Sequence, residues 1–125
     1  MSWGHLQFSK EFRNFIWNKY NKHCAYCGCE LEYKDMQIDH LHPVYLGGSD
    51  NTDNLMPSCR MCNHYKATLT LEKFRKQLSK MGNRLNNSYV YRMAIKYKVV
   101  EQKNMENIKF YFEQVEENKG GKINE

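Results

Sequence analysis

The feature that most constrains this chain is a pair of Cys-x-x-Cys knuckles: Cys24-Ala-Tyr-Cys27, followed by Gly28, and Cys59-Arg-Met-Cys62. Two cysteines with two residues between them turn both sulfurs toward one point. Two such knuckles complete the four thiolates of a closed, tetrahedral zinc site. Gly28 suits the first knuckle, because a turn of this kind needs backbone unhindered by a β-carbon. The 31 residues between the knuckles exceed what a simple zinc ribbon uses, so the segment reads as an insertion whose ends the metal draws together. A zinc with four sulfurs has no open position, and the expected role is structural, its binding free energy adding to that of a small core. Iron fits the same ligand set, which leaves an iron electron carrier as a remote reading. Cys29 breaks the pattern and reads as a spare thiol.

At 125 residues the chain is expected to be one domain with a modest core. Its 41% hydrophobic and 14% aromatic content argue for a folded protein. No apolar stretch approaches the ~20 residues that a membrane span requires. His5, Lys10, Glu11 and Arg13 interrupt the opening Met1 to Phe15, so no secretory signal is expected there. The expected location is therefore cytoplasmic, where structural disulfides are rare and paired cysteines fall to metal. The net charge of +5 is unevenly spread. Arg60 to Arg92 holds eight Lys or Arg against Glu72 alone, while Glu30 to Ser58 holds six acids against Lys34. A cationic half beside an acidic segment suits a polyanion binder that also holds a divalent cation.

Ser9 is placed to cap a first helix, on which Phe8, Phe12, Phe15, Ile16 and Tyr20 follow helical spacing to about Lys22. Two short extended segments are expected near Lys34–Leu41 and Asp53–Met56, separated by a loop containing Pro43 and Gly47-Gly48-Ser49-Asp50. Arg60–Thr68 reads as a short helix. Thr70 caps the next, with Leu71, Phe74, Leu78 and Met81 as its apolar stripe, and Ser88 caps another carrying Val90, Met93, Ala94 and Tyr97. All of these stripes are read as core. Ile108, Phe110 and Phe112 alternate with Lys109, Tyr111 and Glu113, the period of a strand over about 107–113. Residues 116–125 read as a flexible tail. The expected organisation is one domain over 1–115, with a core at 24–68 and a helical extension at 70–98.

Between and just after the knuckles lie Asp39-His40 with Pro43, Gly47-Gly48, Asn54-Leu55, and Asn63 and Lys66 following Cys59 and Cys62. In this order the residues closely resemble the HNH endonuclease family, in its subset with two zinc knuckles, as found in bacterial and phage members. The core of the resemblance covers Cys24 to about Lys66. It implies an α+β fold: a ββα-metal (His-Me finger) core clamped by a four-cysteine zinc site, with flanking helices. It also implies cleavage of DNA phosphodiester bonds, with Asp39 and Asn63 (or His64) on a catalytic divalent cation, His40 as general base, and Asn54 steadying the site and His40. The family name has a third histidine where this chain has Asn63, and His64 is the next candidate.

The residue chemistry agrees with that implication. Hydrolysis of a phosphodiester needs an activated water and an electrophile to offset developing charge. A hard ion such as Mg2+ or Mn2+ held by few protein oxygens keeps positions free for both, other divalent transition metals being possible. Asp39 offers an anionic oxygen, Asn63 a carbonyl oxygen, and His40 an imidazole able to take a proton near neutral pH. Lys66 is expected at a phosphate, and Lys73, Arg75, Lys76 and Lys80 along the backbone of double-stranded DNA. Asp50 and Asp53 are expected to shape the loop. No membrane partner is expected, and the chain reads as a monomer or homodimer. The alternative reading is a zinc-stabilised nucleic-acid-binding module without cleavage activity.

Overall fold

The computed structural model describes residues 8–103 and 106–124, with side chains as far as residue 119. Two compact units are present: Met1–Thr68 with Lys109–Glu125, and Leu69–Ile108. Among the described residues no helix is long and apolar enough to cross a membrane.

The first unit begins with α1 (Lys10–Lys19). Ser9 caps it, its hydroxyl accepting from the Phe12 amide at 3.1 Å, and Ile16 and the following Tyr20 are buried. Its polar side chains hold neighbouring backbone: Trp17 Nε1 donates to the Leu31 carbonyl at 2.9 Å, Arg13 to the Met36 carbonyl at 3.0 Å, and Lys19 to the Leu55 carbonyl at 2.9 Å. Burial pushes the Lys19 ammonium below its ordinary pKa, against the pull of Asp53 and Glu116.

Two strands, β1 (Gln37–His40) and β2 (Leu55–Ser58), pair antiparallel with Asp39 opposite Met56 and His40 opposite Leu55. Both fall within or beside the extended segments expected from sequence, the second shifted toward the second knuckle. β2 is buried along its whole length and leads through Cys59 into α2 (Arg60–Lys66). The Cys59 sulfur serves as N-cap by accepting from the Cys62 amide at 3.4 Å. This β-β-α succession is the fold implied by the resemblance.

The alternating run at 107–113 is not a strand. The chain enters α6 at Tyr111, and the helix continues to Asn124 through the segment read as a flexible tail. Phe110 and Phe112 are both buried, each contributing roughly 1.5–3 kcal/mol of apolar burial, and they pack edge-on against Tyr26 at 5.6 and 6.2 Å. The first-turn amides that a helix leaves free bond to the first knuckle, Tyr111 to the Tyr26 carbonyl at 3.1 Å and Phe112 to the Ala25 carbonyl at 2.8 Å. The Glu113 carboxylate accepts from the Phe110 amide at 2.9 Å, as in half of a capping box. Alternation over so few residues does not distinguish a strand from a helix start docked by its first turn.

The second unit contains α3 (Leu71–Ser79), α4 (Met81–Leu85) and α5 (Tyr89–Lys96). Thr70 and Ser88 cap α3 and α5 as expected, accepting from the Lys73 and Tyr91 amides at 3.2 and 3.1 Å. Phe74 is buried. The stripe on α5 departs from expectation: none of its residues is fully buried, and Val90 remains 76% exposed. Apolar residues at 90, 91, 93, 94, 95 and 97 surround most of this helix, so periodicity does not select one face. Tyr91, Ala94 and Ile95 take the half-buried side.

Candidate active site

The fold brings the knuckles together. The sulfurs of Cys24, Cys27, Cys59 and Cys62 all lie within 4.8 Å of one another. Tetrahedral coordination with Zn–S bonds of about 2.3 Å needs sulfur separations of about 3.8 Å, and Cys27 and Cys59 are 3.9 Å apart. The set can therefore hold one zinc ion with little adjustment. The backbone supports it: the Ala25 amide bonds to the Pro57 carbonyl on β2 and the Cys24 amide to the Cys29 carbonyl, both at 2.8 Å. Gly28 sits at φ +82°, and a β-carbon there would meet the Tyr111 ring at 3.1 Å, so conformation and space both call for glycine. The Cys24 thiol is drawn down to about 4, first by a hydrogen bond from Cys62 and against the cost of burial. Cys29, outside the set, is exposed, and desolvation with the neighbouring Cys27 pushes it up to about 12.

On β1, Asp39 points inward and His40 lies half-buried. The Asp39 Oδ2 accepts from the Tyr26 hydroxyl at 2.6 Å and pairs with Lys66 Nζ at 3.0 Å. Lys66 also donates to the His40 carbonyl at 3.0 Å. Burial pushes the Asp39 carboxyl above its usual range, with Lys66 and Tyr26 pulling back, while burial and the Asp39 charge push the Tyr26 phenol well up.

This arrangement corrects the expectation for Lys66. Its side chain is 0% exposed, and an ammonium enclosed with two protein partners is not presented to a phosphate. It lies three residues after Asn63 on α2, hence on the same face, so the turn carrying Asn63 is packed toward the strand carrying Asp39. Asn63 is half-buried and His64 is exposed, in keeping with the ~100° between successive helix positions.

The His40 ring is held from the loop. Its Nε2 lies 2.7 Å from Asp50 Oδ1, and the imidazole retains 18% exposure. Asn54 closes the same loop: its Oδ1 accepts from the His42 amide at 2.8 Å, and its Nδ2 donates to the carbonyls of His42 at 3.1 Å and Ser49 at 2.8 Å. Asn54 thus steadies the backbone on both sides of the loop, and its side-chain hydrogen bonds go to His42 and Ser49, not to the His40 ring it was expected to steady. Asp50 makes that contact, and residue reading missed it. The available signal was a carboxylate one loop away from a candidate base. Gly48 is required by close approach, since a β-carbon there would stand 1.8 Å from the His42 carbonyl oxygen.

The remaining candidates are dispersed. Lys73, Lys76 and Lys80 are all exposed, on or just after α3. Arg75 is engaged within its own unit by Glu72 at 3.0 Å and by the Ile108 carbonyl at 2.6 Å, so it is not a free phosphate contact. Of the histidines outside the candidate set, His42 bonds to the Leu46 carbonyl at 3.2 Å, and His23 stacks on Tyr111 at 5.3 Å. His5 lies outside the described residues.

Residues 24–79 match the family described as HNH endonuclease. Among curated proteins, the chain is similar to a CRISPR-associated endonuclease Cas9 of Corynebacterium diphtheriae, 35% identical over 63 residues, which are 50% of this chain and 6% of that protein. It is also similar to the Septu protein PtuB of Bacillus thuringiensis, 42% identical over 52 residues, 38% of this chain and 20% of that protein. The chain therefore spans only a small part of these relatives. Among solved structures, the type II-C Cas9 enzyme of Actinomyces naeslundii matches with a TM-score of 0.50 and 18% identity, over 82% of this chain and 14% of that chain. That likeness concerns the fold.

Proposed function

We propose, from the match of residues 24–79 to the HNH endonuclease family, that the chain is a metal-dependent endonuclease hydrolysing DNA phosphodiester bonds. The observation that carries this reading is the adjacency of Asp39 and His40 at the end of β1, with the carboxylate anchored inside by Lys66 and the imidazole turned toward the Asp50 loop.

The residues fit a divalent cation. Asp39 Oδ2 is occupied by Tyr26 and Lys66, which leaves Oδ1 as the donor, and Asn63 supplies a neutral carbonyl oxygen. His64 is the alternative to Asn63. When bound, Mg2+ or Mn2+ supplies positive charge to the phosphate during hydrolysis. Cys24, Cys27, Cys59 and Cys62 hold a structural zinc, which ties the segment carrying Asp39 and His40 at both ends.

His40 is the general base. A carboxylate accepts only, so the contact to Asp50 puts the ring proton on Nε2 and leaves Nδ1 to take a proton from the attacking water. Asn54 holds the Ser49 carbonyl and thereby the loop that presents Asp50. Lys66 holds the His40 carbonyl and the Asp39 carboxylate together, so it is a positioning residue. Lys73, Lys76 and Lys80 supply cationic contacts to the DNA backbone, which favour affinity over sequence preference.

The test is incubation of the zinc-loaded protein with supercoiled plasmid and Mg2+ or Mn2+. Nicked or linear product is expected from the wild type and none from His40→Ala, which should still shift DNA in a gel. Absence of cutting with either cation, DNA binding being intact, would leave the zinc-stabilised binding module as the better reading.

A further inference from the structure

One surface lies outside this reading of the site. From Lys73 to Val100 the chain contains eight Lys or Arg and no acid. Within this run the outer side of α5 presents Tyr89, Arg92, Met93, Lys96 and Tyr97. Tyr89 and Tyr97 are each 69% exposed. They are eight residues apart, about 12 Å along the axis, and their turn positions differ by about 80°, so both rings serve one side. The Arg92 guanidinium lies over the Tyr89 ring at 5.8 Å and donates to the Asn86 carbonyl at 2.7 Å, which orders that end of the strip. Lys96 and Lys98 are exposed beside Tyr97.

We propose that this face of α5 docks single-stranded DNA, with Tyr89 and Tyr97 stacking on unpaired bases and Lys96, Lys98 and Arg92 meeting phosphates. Charge complementarity selects a polyanion and disfavours a second copy of the chain, which would oppose like charges across the contact. The rings select an unpaired strand, because a duplex hides its base faces in its own stack, whereas free bases stack on aromatics regardless of sequence. The choice of DNA over RNA rests on the proposed nuclease reading; the strip itself does not.

The test is fluorescence anisotropy of a labelled single strand of about 12 nucleotides, within the span one binding fold covers, with the full zinc-loaded chain in a His40→Ala background. Duplex DNA and single-stranded RNA of the same sequence serve as parallel arms. Tyr89→Ala with Tyr97→Ala is expected to weaken single-strand binding by about tenfold or more, with duplex binding little changed and Tyr→Phe at both positions restoring affinity. Lys96→Gln with Lys98→Gln is expected to lower the salt dependence by about 0.7 per lost phosphate contact. Unchanged single-strand affinity in the double Ala variant overturns the proposal, as does an equal loss on duplex, tighter binding of RNA, or a wild-type dimer that the variants dissociate. Plasmid cutting is scored separately. Cutting with unchanged Tyr variants sinks this inference alone, while Tyr-dependent binding without cutting sinks only the nuclease reading.

Discussion

Lys66 Nζ lies 3.0 Å from Asp39 Oδ2, the lysine fully enclosed and the carboxylate 7% exposed. A buried pair of this kind is not in itself a large net stabiliser, because desolvation of both charges offsets much of their attraction. Removing one partner is costly, since it strands the other charge.

Lys66→Met is therefore expected to destabilise the protein by about 3–5 kcal/mol, measured by urea unfolding. Combining it with Asp39→Asn should recover a substantial part of that loss. A surface lysine at a phosphate would behave differently, with stability changed by no more than about 0.5 kcal/mol. Loss of DNA binding at unchanged stability would contradict the buried role.

One zinc per chain is expected in the wild type and in Cys29→Ser, read by elemental analysis. Cys24→Ser and Cys62→Ser should fall well below one and lose the cooperative unfolding transition, because apparent zinc binding free energies of about 10–16 kcal/mol are also folding free energy. Full stoichiometry in both knuckle variants would rule out the four-sulfur assignment.

Asp50→Asn is expected to slow cleavage by about tenfold to a hundredfold, the range for a lost outer hydrogen bond to an imidazole. Its thermal stability should stay near wild type, because Asp50 is 54% exposed. A cleavage rate equal to wild type would remove Asp50 from the mechanism and return it to loop shaping alone.

At alkaline pH, Tyr20 sets a direction. Its hydroxyl donates to Glu116 Oε2 at 2.8 Å, and burial, then that carboxylate, raise the phenol above its ordinary value. A raised folded-state pKa means the folded protein holds the proton more tightly than the unfolded chain. The contribution is present below about pH 10 and is lost as pH rises through the folded value. Stability should therefore fall above about pH 10, and Tyr20→Phe should show a shallower fall. Parallel curves for the two proteins would speak against it.

The sequence by itself carried the candidate residues and the local starts. The Cys-x-x-Cys spacing marked the four-sulfur cluster, Asp39-His40 and Asn54 marked the candidate site, and Ser9, Thr70 and Ser88 marked helix beginnings, because caps and knuckles are short-range patterns readable within a few residues. Three things were decided only when the chain closed on itself. Lys66 is indistinguishable from a solvated lysine until α2 lays it against β1. Asp50 becomes the partner of His40 only when Asn54 folds the loop back. The alternation around Phe110 and Phe112 becomes a helix entry because knuckle carbonyls take up its first amides. Each depends on contacts between residues distant in sequence, where burial and hydrogen-bond satisfaction outweigh local propensity.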